Sequence, residues 1–160
     1  VLSSAQPVQA SAGALHPVAS GHGNNVDLRG NNMSSELMSL TWVATLTALL
    51  WVPYILNTIG VRGLVDAVGY PQNPTPLAPW AQRMKAAHYN AVENLVVFAA
   101  LVLVAQAAGV SNETTVLACQ VYFWARVVHA AAYTFGIPWV RTVAFAAGFF
   151  CQMALALQLL

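Results

Sequence analysis

Arg83, His88, Asn90 and Glu93 open one long apolar segment of the chain, and Arg126, His129 and Tyr133 close the next. They bring guanidinium, imidazole, amide, carboxylate and phenol groups into sequence that otherwise reads as lipid-facing. A charge at the centre of a membrane helix costs roughly 2.5 to 3.5 kcal/mol on insertion scales, so such side chains usually face a protein interior, a partner or a ligand. The expectation is a polar site kept between helices, built from groups that recognise charge by hydrogen bonding.

Helical spacing lets these groups share faces. Arg83, Ala86, Asn90, Glu93 and Val97 follow steps of three and four, as do Tyr122, Arg126, His129 and Tyr133, so two polar stripes are available to meet. His88 and Asn94 lie off the first stripe and are expected to contact a neighbouring helix. The segment carrying the first stripe, about 28 residues at 1.5 Å each, is long enough to project beyond a bilayer at its Arg83 end, where a water-soluble ligand could enter.

The elements that position these stripes are membrane spans. With 58% hydrophobic and 7% charged residues and a mean hydropathy of +0.61, the chain is far from the roughly 25% charge of a soluble domain. A net charge of +1 and the lack of any Lys/Arg run exclude an electrostatic nucleic-acid binder. Cys119 and Cys151 lack the spacing of a zinc or disulfide framework and read as packing residues. No metal site is expected.

Residues 1–32 are rich in Ser, Ala, Gly, Asn and Pro without apolar periodicity, and they read as a flexible extension. They do not make a secretory signal. Met33 begins MSSELMSL, which reads as a natural start, so the preceding stretch, with His16 and His22, is expected to be added or upstream sequence outside a membrane domain of residues 33–160. That domain carries four apolar segments, about Leu37 to Val61, Ala81 to Ala108, Thr114 to Phe135 and Pro138 to Leu160, each near or above the roughly 20 residues a span needs. The fold class is all-α, a transmembrane four-helix bundle.

Turn chemistry sets the limits. Pro71, Pro74, Pro76 and Pro79 break the chain between spans one and two, Gly109 with Ser111 or Asn112 caps the second link, and Gly136 with Pro138 makes the third. Short links of this kind make neighbouring helices antiparallel. Pro53 predicts a kink inside span one. Small residues such as Ala130, Ala131, Ala146, Ala147 and Gly148 predict close helix packing, and Trp42, Trp51, Trp80 and Trp139 read as interfacial anchors. Arg62, Arg83, Lys85 and Arg141 lie at loops one and three, which makes those loops cytoplasmic and puts both termini outside.

RMKAAHYNAVEN at Arg83–Asn94, ARVVHAAAY at Ala125–Tyr133 and GIPWVR at Gly136–Arg141 together resemble the MAPEG family, the membrane-associated proteins in eicosanoid and glutathione metabolism, in its bacterial branch and akin to microsomal glutathione S-transferase. The resemblance implies a homotrimer in the bacterial inner membrane, with glutathione as cosubstrate bound between subunits near the cytosolic face and lipophilic small molecules as the second substrate. It places Arg83, Asn90, Glu93, Arg126 and Tyr133 at the glutathione and gives Arg141, with Arg126, the catalytic part. A guanidinium suits a glutathione carboxylate, Glu93 suits the ammonium, and a cation at Arg141 would favour the thiolate. Eicosanoid-type members carry further arginines where this chain has Ala86 and Tyr89.

The implied activity is that of a glutathione-dependent transferase or peroxidase; the alternative is a noncatalytic membrane subunit or scaffold. Structural uses of the same residues stand beside the ligand reading. Arg126 and Glu93 could form an ion pair that fixes helix register, Asn90 could be interhelical glue, and His88 and His129 could be satisfied interior histidines.

Overall fold

Proline and glycine cut the chain into rods close to where the sequence predicts. The computed structural model describes residues 33–160; the extension expected at residues 1–32 lies outside the described residues. Five helices occur in order: α1 (Ser35–Leu49), α2 (Trp51–Val68), α3 (Pro79–Ala107), α4 (Glu113–Phe135) and α5 (Pro138–Leu157). Helices are the only regular elements among the described residues, and α1 and α2 together form the first of four rods.

The first rod departs from a single span in two ways. It is interrupted at Leu50, which keeps right-handed helical angles (φ −62°, ψ −23°), so the rod is modulated there without ending. Pro53 explains the position: it has no N–H to offer the carbonyl four residues back, at Leu49. Gly63 then leaves the helix altogether (φ 78°, ψ 163°), two residues past the expected end at Val61, and a short further stretch runs to Val68. An L side chain rarely adopts that backbone, so glycine sets this break.

α2 also anchors the loop that leads into α3. Asn57 Oδ1 accepts the Ala78 backbone N–H at 3.1 Å just before α3, whose own flank supplies no side-chain cap. Arg62 Nε donates to the Thr75 carbonyl at 2.7 Å, fastening the proline-rich loop to α2. Pro79 occupies the first turn of α3, as expected.

At the far end of α3, Gly109 sits at φ 68° just past the C-cap Ala108, and Val110 N–H donates to the Ala105 carbonyl at 2.9 Å. Of the two N-cap candidates for α4, Asn112 takes the position. It exchanges bonds with Thr115: Asn112 Oδ1 accepts the Thr115 N–H at 3.0 Å, and Thr115 Oγ1 accepts the Asn112 N–H at 2.9 Å.

Side-chain ties confirm the alternating directions. At one end, Glu36 Oε1 accepts from Thr115 Oγ1 at 2.7 Å and Ser111 Oγ at 2.8 Å, Ser34 Oγ donates to Gln106 Oε1, and Asn112 Nδ2 donates to Gln158 Oε1. The beginnings of α1 and α4 therefore meet the ends of α3 and α5. At the other end, Arg83 Nε donates to the Thr134 carbonyl at 2.9 Å, joining the start of α3 to the end of α4.

The core lies between α1, α3, α4 and α5. Phe98 and Tyr122 stack with ring centres 3.8 Å apart, surrounded by Val43, Val102, Cys119 and Leu155. Cys119 and Cys151 are buried free thiols, in keeping with packing roles. Outside this core, Trp42, Trp51, Trp80, Trp124 and Trp139 are exposed. The first rod, α3 and α5 are each long and apolar enough to cross a membrane. α4 is not in that set, because Gln120, Arg126 and His129 interrupt its apolar sequence.

Candidate functional site

α3 and α4 bring the centres of their polar stripes together. Arg126 Nη2 donates to Asn90 Oδ1 at 2.8 Å, and the Arg126 side chain is only 3% exposed. Its other terminal nitrogen, Nη1, is buried without a hydrogen-bond partner. A buried cation is tolerated when its donors are met and a counter-charge is near, and leaving one donor unmet is expensive. The guanidinium is half satisfied by a neutral amide and has an unused donor.

The α4 stripe continues toward the Arg83 end of the bundle. His129 is 2% exposed and its Nδ1 has no partner, so it departs from the expected satisfied interior histidine. Its ring meets Tyr133 edge-on at 5.6 Å, and the Arg141 guanidinium lies 4.6 Å from the centre of the Tyr133 ring. Arg126, His129 and Tyr133 thus form a line along α4 that ends beneath Arg141, in the first turn of α5. A cation over a tyrosine face is held by the ring's quadrupole, which gives Arg141 a defined resting place.

Two residues of the α3 stripe do not join that line. Arg83 is committed to the Thr134 carbonyl, where a cation also suits the end of a helix. A Cβ at Gly136 would come within 3.3 Å of Arg83 Nε, so this left-handed glycine (φ 75°) both turns the chain and makes room for the tie. Glu93 is exposed. The Arg126–Glu93 ion pair considered from the sequence is absent within the protomer: Arg126 takes Asn90 instead and leaves Nη1 unpaired.

His88 matches its expectation and leaves the stripe for a neighbouring helix. Its Nδ1 lies 2.9 Å from the Tyr54 hydroxyl of α2, and it is the satisfied histidine of the pair. Asn94 divides its contacts. Its side chain donates to the Asn90 carbonyl at 2.9 Å on the same helix, while its own carbonyl accepts from Tyr122 Oη at 3.2 Å and Gln152 Nε2 at 3.1 Å.

Sequence reasoning does not single out Gln152 or Tyr54. Gln152 carries a signal, being the one amide in α5 and set in its apolar second half. Tyr54 carries none, since aromatic residues are common in spans. Gly148 reads in the sequence only as a small packing residue, yet a Cβ there would lie 3.6 Å from Tyr122 Cε2 and 3.9 Å from Arg126 Cδ. A methyl group would fit there in ordinary contact, so only a side chain larger than alanine would hold α5 off the guanidinium stem.

Beside the polar line, α1, α4 and α5 enclose an open groove of about 1020 Å³. Trp42, Trp124 and Trp139 stand along its walls, with Ala125 and Ala144 among its lining residues. Asn90, Arg126, Tyr133 and Arg141 do not line it. The molecule therefore carries a polar seam and a separate apolar groove. Among the described residues no cluster of three or more His, Cys, Asp or Glu could hold a metal ion.

Residues 39–160 match the model of the MAPEG family. No curated protein and no solved structure matches the chain.

Proposed function

The chain belongs to the MAPEG family, and on that premise we propose that this integral membrane protein is a glutathione-dependent transferase or peroxidase acting on lipophilic electrophiles that reach it from the bilayer. The observation that carries the reading is Arg126: a buried guanidinium bonded to Asn90 through one nitrogen and unpaired at the other. A glutathione carboxylate supplies the missing acceptor and the missing charge in one group.

The remaining roles rest on geometry and charge. Tyr133 and Arg141 stand together at the open end of the line, where Arg141 favours the thiolate over the thiol. That sulfur forms the new bond to an electrophilic carbon, and the leaving group departs with its electron pair. In the peroxidase variant the thiolate attacks a peroxide oxygen, the O–O bond breaks and the alcohol or water leaves, and a second glutathione then displaces water from the resulting sulfenic acid to give the disulfide. The tryptophan-lined groove supports a lipophilic second substrate.

Exposed Glu93 is suited to the glutathione ammonium in a homotrimer whose site lies between neighbouring subunits. Arg83 acts from the edge of the site by holding the end of α4. Loops one and three face the cytoplasm of a bacterial inner membrane in this reading, which puts the Arg83 and Arg141 end beside the aqueous glutathione pool.

Calorimetry with glutathione on the detergent-solubilised protein tests the proposal. Saturable binding by the wild type, lost in Arg126→Ala, is expected. A folded, oligomeric wild type that binds no glutathione would refute it and leave a noncatalytic scaffold as the function of the fold.

A further inference from the structure

We propose that Gln152 is a positioning residue: from α5 it holds the Asn90–Asn94 turn of α3 in register with Arg126. The inference rests on the glutathione reading for its effect on ligand, though its structural half does not.

The bonds form a relay through three helices. Gln152 is 5% exposed, and its Nε2 donates to the Asn94 carbonyl at 3.1 Å and to Tyr122 Oη at 3.3 Å. Tyr122 Oη donates to the same carbonyl at 3.2 Å. Donors from α4 and α5 therefore converge on one backbone oxygen of α3, one turn beyond Asn90. Asn94 passes the constraint back by donating its side-chain amide to the Asn90 carbonyl at 2.9 Å. Asn90 in turn accepts from Arg126.

Packing alone would not fix this register. In lipid no hydrophobic force separates one apolar helix contact from a slightly shifted one, and interhelical hydrogen bonds supply the discrimination. Gly148 lies four residues before Gln152 on α5, against the Tyr122 ring and the Arg126 stem. One helix thus packs against the Arg126 stem at Gly148 and holds the turn that carries its partner through the Gln152 amide. A leucine at position 152 keeps the bulk and removes both donors.

The test compares wild type, Gln152→Leu and Leu155→Ala by glutathione calorimetry and thermal unfolding. Leu155 is 1% exposed on the same helix and has no part in the relay. Gln152→Leu should raise the glutathione Kd about tenfold, equivalent to about 1.4 kcal/mol. Leu155→Ala should lower Tm at least as much yet leave Kd within about twofold of wild type, a margin well below that tenfold step. An unchanged Kd in Gln152→Leu, or equal weakening in both variants, overturns the proposal.

A ligand-free arm separates this failure from that of the glutathione reading. Asn90→Ala and Gln152→Leu are combined in a double-mutant cycle read by Tm. Because the two residues share no direct hydrogen bond, coupling between them reports the relay, and strict additivity overturns it whether or not glutathione binds.

Discussion

Gly148 offers a graded probe of the seam around Arg126. A methyl group at that position would sit 3.6 Å from Tyr122 Cε2, 3.8 Å from Tyr122 Cδ2 and 3.9 Å from Arg126 Cδ. Those are ordinary carbon contacts, near the optimum of about 3.5 to 4.0 Å. Gly148→Ala should therefore be neutral, or stabilise by up to about 1 kcal/mol through helix propensity. Valine extends a further bond of about 1.5 Å from Cβ. One of its methyls must then press into the Tyr122 ring or displace the Arg126 stem, an overpacking that costs about 1 to 3 kcal/mol. At about 2 to 4 °C per kcal/mol for a chain of this size, Gly148→Val should lower Tm by several degrees. It should also weaken glutathione binding by moving Arg126 off Asn90. Thermal unfolding and calorimetry on the same preparations read both effects. Wild-type stability in Gly148→Val, or a loss of more than about 1 kcal/mol already in Gly148→Ala, would show that the α4–α5 seam is not packed as described.

The two ends of the bundle give further expected outcomes. Glu36→Leu removes the acceptor shared by Thr115 and Ser111 and should destabilise the fold by about 1.5 to 3 kcal/mol, the range for hydrogen bonds to charged groups; because the Arg126 seam lies away from that end, glutathione affinity should be unchanged, and a parallel loss of affinity would contradict the separation of the two. Gln72→Cys and Thr114→Cys, both at exposed positions, should differ in labelling by an impermeant thiol reagent applied to intact cells: Thr114→Cys reacts and Gln72→Cys does not, with the native thiols silent because they are buried. The reverse pattern would invert the assigned topology.

Spans, breaks and caps are local properties, so they are legible in the sequence. Pro79, Gly109, Asn112, Gly136 and Pro138 all act within a turn of where they stand, and the rods end beside them. The interruption at Leu50 is legible as a kink from Pro53, but the extension beyond Gly63 is not, because resumption after a glycine depends on the loop docking through Arg62 and Asn57. In the candidate site, the Asn90–Arg126 meeting is implied by two stripes of matching period. The exposure of Glu93 is not. Three residues at 3.6 per turn place it about 60° around the helix from Asn90, far enough to leave a narrow seam while still counting as the same stripe. The relay through Asn94 is hidden for a different reason: its acceptor is a backbone carbonyl, which every residue possesses and no sequence pattern marks.

The depth of Arg126 also governs kinetics. With the guanidinium 3% exposed and Asn90 bonded to it, any ligand reaching it must first open the α3–α4 seam. Association is then limited by how often the seam parts rather than by collision, and falls below the usual range for a site open to solvent. Once the seam has closed over a carboxylate, dissolved ions cannot screen the pair as they would at a surface, so added salt should leave both arrival and stay nearly unchanged.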